Sequence, residues 1–107
     1  MSIADKARDA VAVADSAVVN ATASARAAQS KRDGAAGGYA SSHPAWEWVE
    51  YAEQSARRAK EYARQAAAAA SAHDIPEANR RLRNAWSEAW GATSNAERAA
   101  KIASIRD

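Results

Sequence analysis

The stretch AAAAASAHDIPEA, residues 66–78, contains both the end of one helix and the start of the next. Alanine has the highest helix propensity of the natural residues, so the run before the turn favours helix. After it, Asp74 can act as an N-cap, Pro76 fits the first helical turn, and Glu77 stands where an acid completes the capping pattern. The stretch therefore predicts a tight turn between two helices.

Capping signals elsewhere divide the chain into three helical segments of similar length. Ser2 followed by Asp5 resembles a capping box, and Asp33-Gly34 is typical of a helix C-terminus. Pro44 then opens the second helix, with Ser42 or His43 as its cap. The predicted boundaries are helix 1 over about residues 3–32, a flexible loop over 33–43, helix 2 over about 44–72 and helix 3 over about 75–105.

Helix 3 allows two interpretations near Gly91. Gly91 followed by Thr93, Ser94 and Glu97 resembles a C-cap and a new capping box, which would break the helix there. The spacing of the alanines continues in register through Gly91, and this favours one continuous helix.

The composition indicates how the helices pack. The chain has 107 residues, of which 33 are alanine, and it contains no Phe and no Cys. Eighteen larger apolar side chains are too few to fill a β-sandwich or an α/β domain of this length. In each segment alanine recurs at heptad spacing, as at Ala7, Ala14, Ala21 and Ala28, at Ala45, Ala52, Ala59 and Ala66, and at Ala78, Ala85, Ala92 and Ala99. We therefore predict an all-α fold, an antiparallel three-helix bundle with a coiled-coil-like alanine core, in a single domain over residues 1–107.

Side chains suited to catalysis are sparse. The two histidines, His43 and His73, lie in turns and are interpreted as solvated cap residues. His73, Asp74 and Glu77 could touch one metal ion, but a zinc site normally needs a fourth ligand. A nucleophile elbow and a phosphate-binding glycine loop are both missing from the sequence. We expect no enzymatic activity, no metal and no cofactor.

The charges are nearly balanced, with 15 Lys and Arg against 13 Asp and Glu. The longest uncharged run of helix 1 covers only residues 16–25, too short to cross a membrane, so we expect no membrane contact and a cytoplasmic protein. The predicted hairpin nevertheless gathers cations at one end of the bundle. This basic patch comprises Lys6, Arg8, Lys60, Arg64, Arg80, Arg81 and Arg83. A solvated end of the bundle is the ordinary interpretation, and nucleic-acid binding is the alternative.

Four tryptophans are many for a core built of alanine. The heptad-spaced alanines of each helix form its alanine seam. Trp48 falls on the seam of helix 2 and is assigned to the core, whereas we expect Trp46 and Trp90 to be exposed. Exposed tryptophan beside arginine is typical of interface hot spots. The predicted partner-binding residues are Trp46, Trp86, Trp90, Arg57 and Arg64.

Helix 1 has more apolar surface than a three-helix bundle requires. Between Ala10 and Ala28 its only charged residues are Asp15 and Arg26. The predicted self-association strip, directed away from the alanine seam, is Ala12, Val13, Val19, Ala23 and Ala27. It predicts a weak two-fold homodimer in which helix 1 pairs antiparallel with its copy.

The leading hypothesis from the sequence is a non-enzymatic protein–protein interaction module. It would act as an adaptor or inhibitor that occludes a surface of a larger protein. Nucleic-acid binding through the basic patch is one alternative. A structural role in which self-association is itself the function is another.

Overall fold

The computed structural model, described over residues 1–105, is an up–down–up bundle of three helices. Helix α1 spans Ile3–Ala36, α2 spans Ala45–Ser71 and α3 spans Ile75–Ala103. Each helix contacts the other two, and the molecule is a rod of 59 × 18 × 18 Å. Its radius of gyration, 17.0 Å, exceeds the roughly 13 Å of a compact domain of this length, because small core side chains keep the bundle narrow while the helices make it long. The predicted all-α three-helix fold is confirmed.

The interior consists almost entirely of alanine. Of the twenty buried hydrophobic residues described, nineteen are alanine and the other is Val49. Trp48, which was assigned to the core, is only partly buried and packs against the alanine core, as do Ile3 and Leu82. Each alanine removes little area from water, so close packing and helix propensity must provide much of the stability.

Two of the predicted caps form as expected. The hydroxyl of Ser2 accepts a hydrogen bond from the Asp5 amide at 3.1 Å, and the Asp5 carboxylate accepts one from the Ser2 amide. Hydrogen bonding of the Asp5 carboxylate to the side chain of Ser2, and then to its amide, lowers the pKa of the Asp5 carboxyl. At the second turn Asp74 accepts from the Glu77 amide at 3.3 Å. The adjoining His73 takes a left-handed conformation, φ 59°, which lets the chain reverse between α2 and α3.

Helix α1 ends later than predicted. It continues through Asp33 and Gly34 to Ala36, and Gly37 is its C-cap with φ 72°. The amides of Gly37 and Gly38 donate to the Gly34 and Asp33 carbonyls. The predicted stop at Asp33-Gly34 is wrong because the stop requires a left-handed residue, and Gly37 rather than Gly34 adopts that conformation.

The loop between α1 and α2 is held by side chains of α1. The Gln29 side chain donates to the Ser41 carbonyl at 3.1 Å and accepts from the His43 amide at 2.6 Å. The Asp33 carboxylate accepts from the Ala40 amide at 2.8 Å, and this bond is the main cause of the lowered pKa of Asp33. These contacts give residues 40–43 a defined path.

The start of α2 corrects two expectations. His43 is buried rather than solvated, at 4% exposure, and its Nδ1 accepts a hydrogen bond from the Ala45 amide at 3.0 Å. Ser42 does not cap the helix. Its carbonyl accepts instead from Arg32 of α1.

Helix α3 runs without a break through Gly91. The residue faces α2, where a Cβ built at position 91 would lie 3.5 Å from the Ser55 hydroxyl oxygen. The Thr93 hydroxyl donates to the Ala89 carbonyl of the preceding turn and caps no new helix. The expectation of one continuous helix is confirmed.

Candidate functional site

A groove with a volume of about 580 Å³ runs between α1 and α3. On α1 it is lined by small side chains, among them Ala12, Ser16 and Asn20. On the α3 side it is lined by Trp90, Thr93, Ala96, Glu97 and Ala100, so Glu97 is its one charged residue among those described. The groove exists because the facing side chains, apart from Trp90, are too short to fill the space between the two helices.

Trp90 stands at one side of this groove with 58% of its surface exposed. One turn earlier on α3, Trp86 is partly buried and packs against the alanine core. The two ring centroids lie 5.5 Å apart with 33° between the ring planes. The buried indole therefore supports the exposed one and limits the positions that it can take.

The groove brings together residues predicted for two separate purposes. Ala12 and Val13, from the predicted self-association strip, line it together with Trp90, from the partner-binding set. We expected Val13 to point away from the alanine seam, and this prediction is wrong. It is half-buried and packs against the core, since α3 lies close to that side of α1.

The remaining strip residues are exposed, as predicted. Val19 is 67% exposed, and both Ala23 and Ala27 lie on the surface of α1. Together with Ala12 they form an outward surface of small and apolar side chains beside the groove.

The other predicted partner-binding residues do not join Trp90. Trp46 is half-buried and packs against the core, so the expectation that it is substantially exposed is wrong. Arg57 lines a separate groove of about 220 Å³ between α1 and α2. Arg64 pairs with Glu61 on its own helix. The five predicted residues therefore do not form one surface.

Trp48 has a contact that the sequence analysis missed. The Arg98 guanidinium of α3 lies 5.5 Å from the centroid of its ring, and Tyr51 packs edge-on at 5.3 Å. In three contacts between α2 and α3, the two partners lie equally far along the chain from His73, one before it and one after it. These contacts are Trp48 with Arg98, the ion pair Arg58–Glu88 and the close pair Ser55–Gly91. Counting outward from the predicted turn could have found all three pairs, because the helices of a hairpin run antiparallel.

The basic patch is largely neutralised by neighbouring carboxylates. Arg8 pairs with Asp5 at 3.2 Å and Lys60 with Asp15 at 3.0 Å, while Arg64 pairs with Glu61 and both Arg80 and Arg81 pair with Glu77. Within residues 1–105 only Lys6 and Arg83 of the predicted patch form no ion pair. The end of the bundle therefore carries alternating charges rather than a continuous cationic surface.

The pKa values of two acids reflect these pairs. Hydrogen bonds from Arg64, and then from Gln65, lower the pKa of the Glu61 carboxyl to about 2. The Arg81 guanidinium, with a smaller contribution from Arg80, lowers the pKa of Glu77. Both carboxylates therefore stay ionised well below neutral pH and keep their arginines paired.

The turn residues considered for a metal have other contacts. Asp74 caps α3, Glu77 is engaged by two arginines, and His73 is exposed. Over the described part of the chain, no three His, Cys, Asp or Glu side chains are grouped to hold a metal ion. Among residues 1–105, no helix combines the length and the apolar character needed to span a membrane.

Comparisons with protein-family models, with curated proteins and with solved structures found no match. Function must therefore be inferred from the geometry of the chain itself. The α1/α3 groove with its exposed tryptophan is the feature that the fold leaves unexplained.

Proposed function

We propose that this protein is a non-enzymatic protein-interaction module, an adaptor or inhibitor that covers a surface of a larger protein through its α1/α3 groove. The observation that supports the proposal most directly is the position of Trp90. It is 58% exposed beside a groove lined mainly by small side chains. Tryptophan is enriched among the residues that dominate protein–protein binding energy, and it contributes most when a partner removes it from water.

The lining of the groove indicates the chemistry of the partner. Ala12 and Ala96 allow a partner to approach the backbones of both helices closely, so an apolar helix face or a row of apolar side chains fits the space. Glu97 can pair with a Lys or Arg of the partner. The side chains of Ser16 and Asn20 can form hydrogen bonds along the other wall. We therefore expect an amphipathic segment with at least one basic residue.

A weak homodimer through helix α1 is part of this proposal, supported by the exposed small and apolar side chains of that helix, among them Ala12 and Ala27. The nucleic-acid alternative has less support, since five of the seven patch cations pair with carboxylates. The cytoplasmic location stays a prediction, which microscopy of the tagged protein in its own cell would test.

Site-specific photo-crosslinking in the source cell tests the proposal. A crosslinking amino acid at Ser16 or Thr93, on opposite walls of the groove, should give a discrete covalent product with another protein. The same amino acid at the exposed Glu50 of α2 is the matched control and should not. Adding Trp90→Ala to the Ser16 probe should reduce the product several-fold while the circular dichroism spectrum stays helical. Equal yields from Glu50 and from the groove positions, or no product from either wall, would contradict the proposal.

A further inference from the structure

The side of α1 that borders the groove carries a stripe of residues whose spacing is the same when it is read from either end. The stripe, here called the α1 stripe, is Asp9, Val13, Ser16, Asn20, Ser24, Ala27 and Lys31. The spacing from Asp9 to Asn20 is four, three and four residues, and it repeats in reverse order from Asn20 to Lys31. Steps of three and four residues keep all seven positions on one side of the helix. Four of them, from Val13 to Ser24, line the groove.

Side chains at matching positions of the stripe are complementary. When two copies of the stripe run antiparallel with their Asn20 residues level, three kinds of pair face each other across the contact: Ser16 with Ser24, Val13 with Ala27, and Asp9 with Lys31. The charges at the two ends have opposite sign, so an antiparallel pair of stripes forms two attractive contacts and a parallel pair forms two repulsive ones. Within residues 1–105 the side chains of Asp9, Asn20 and Lys31 have no hydrogen-bond or ion-pair partner.

From this complementarity we infer that the occupant of the α1/α3 groove in the isolated protein is the α1 stripe of a second copy. The two α1 helices pack antiparallel about a two-fold axis at Asn20. An amide at the centre of such a contact can bond to its own symmetry mate, and a single polar residue in an apolar helix contact fixes the register. The inference rests on the proposed function in one respect, that the groove binds protein.

Charge and geometry at the centre of this contact are compatible with the inference. Asn20 lines the α1 wall of the groove and Glu97 lines its α3 wall. The register places Glu97 close to Ser16 and Asn20 of the second copy, whose hydroxyl and amide can donate to its carboxylate. Trp90, which lines the groove together with Ala12 and Val13, then packs against the second copy. The dimer therefore covers the exposed tryptophan.

The size of the contact predicts a weak dimer. The stripe from Asp9 to Lys31 is about 33 Å long at 1.5 Å per residue. The rod is 18 Å wide, so each copy contributes on the order of 600 Å², below the roughly 800 Å² per partner of a standard interface. A foreign partner that uses the same groove must displace the second copy, so self-association limits partner binding.

An exchange of charges tests the antiparallel register. In sedimentation equilibrium at low salt, Asp9→Lys alone and Lys31→Asp alone should each raise the dimer Kd about tenfold, because each creates two like-charge contacts. The double variant Asp9→Lys/Lys31→Asp restores both attractive pairs and should return to within about twofold of the wild-type Kd. Glu50→Lys, a reversal at an exposed position of α2, is the control and should leave the dimer unchanged. A double variant no better than the single variants overturns the register.

Cysteine crosslinking gives a second, independent measurement, since the natural chain has no cysteine. Asn20→Cys should form a disulfide-linked dimer on mild oxidation, and Asp9→Cys should not, because its two copies would lie about 33 Å apart. Efficient crosslinking of Asp9→Cys would show a parallel dimer and overturn the inference. A wild-type chain that sediments at 11.3 kDa at high micromolar concentration also overturns it. Neither outcome affects photo-crosslinking of a foreign protein from the groove, so the two proposals can fail separately.

Discussion

The indole of Trp90 lies 5.5 Å from that of Trp86, centroid to centroid, and Trp90 is the more exposed of the two side chains. Trp86 packs against the alanine core, whereas Trp90 is 58% exposed. This pairing holds the exposed ring in place before any partner arrives. A side chain that is already ordered loses less entropy on binding, which favours its use as an interface anchor.

The first prediction concerns tryptophan fluorescence. Trp90→Phe should remove most of the emission that iodide quenches in the dilute chain, because the other three indoles are only partly exposed. Trp46→Phe is the matched control and should remove much less. Iodide quenching measured at low protein concentration, where the proposed dimer would be dissociated, checks this. Equal losses from both variants would show that Trp90 is not the exposed ring.

The second prediction concerns the alanine core. Ala52→Leu and Ala85→Leu should each lower the free energy of unfolding by roughly 1–3 kcal/mol, since both positions are 0% exposed and the added methylenes have no space. Ala68→Leu, at an exposed position of α2, should change it little. Urea denaturation followed by circular dichroism measures all three. A gain in stability from both core substitutions would show that the helices are not closely packed.

The third prediction concerns the middle of α3. Gly91→Ala should raise the free energy of unfolding by about 1 kcal/mol, because alanine is the better helix former and its Cβ makes only ordinary contact with Ser55. Thermal unfolding of the variant measures this. A loss of stability instead would indicate that α2 and α3 approach more closely at this level, or that α3 bends there.

The fourth prediction separates the two possible ends of α1. Gly34→Ala should raise the free energy of unfolding by about 0.5–1 kcal/mol, because Gly34 is helical and has open space around it. Gly37→Ala should lower it by about 1 kcal/mol, since φ is 72° there. Chemical denaturation of both variants gives the comparison. The opposite pattern would place the helix end at Gly34.

The fifth prediction concerns acid. The pKa of Glu61 falls from 4.5 to about 2 on folding, so its contribution to stability is complete above about pH 4.5 and is lost as the pH falls towards 2. Wild-type protein should therefore lose more stability between pH 5 and pH 2.5 than Glu61→Gln does. The difference should shrink in high salt, because the pair is exposed.

Melting temperatures across this pH range check the fifth prediction. Glu53→Gln, which removes an exposed carboxylate that has no ion pair among the described residues, is the control and should follow the wild-type curve. Identical slopes for wild type and Glu61→Gln would contradict the shifted pKa. Asp5, Asp33 and Glu77, whose pKa values are also lowered, contribute to the slope that remains.

Local chemistry determined most of the fold. The alanine periodicity, the Ser2 capping box and the Asp74 cap depend on residues within a turn or two of each other, so the sequence alone predicted three helices and their core positions. The end of α1 was missed because Gly34 and Gly37 are both suited to a C-cap. In the structure, where α1 ends later than predicted, Gln29 and Asp33 form hydrogen bonds with the loop that follows the helix. Such contacts exist only once the chain has folded back.

The candidate site depended on tertiary structure. The sequence indicated that an alanine core does not require Val13 and Trp90, but the two residues were assigned to different surfaces. They line one groove because α1 and α3 run side by side, and no pattern within either helix specifies which flank meets its neighbour. In the same way, Trp46 resembled Trp90 in the sequence and is half-buried in the bundle. Periodicity determines which side of a helix is buried, whereas the exposure of a flanking side chain depends on how closely the adjacent helix approaches it.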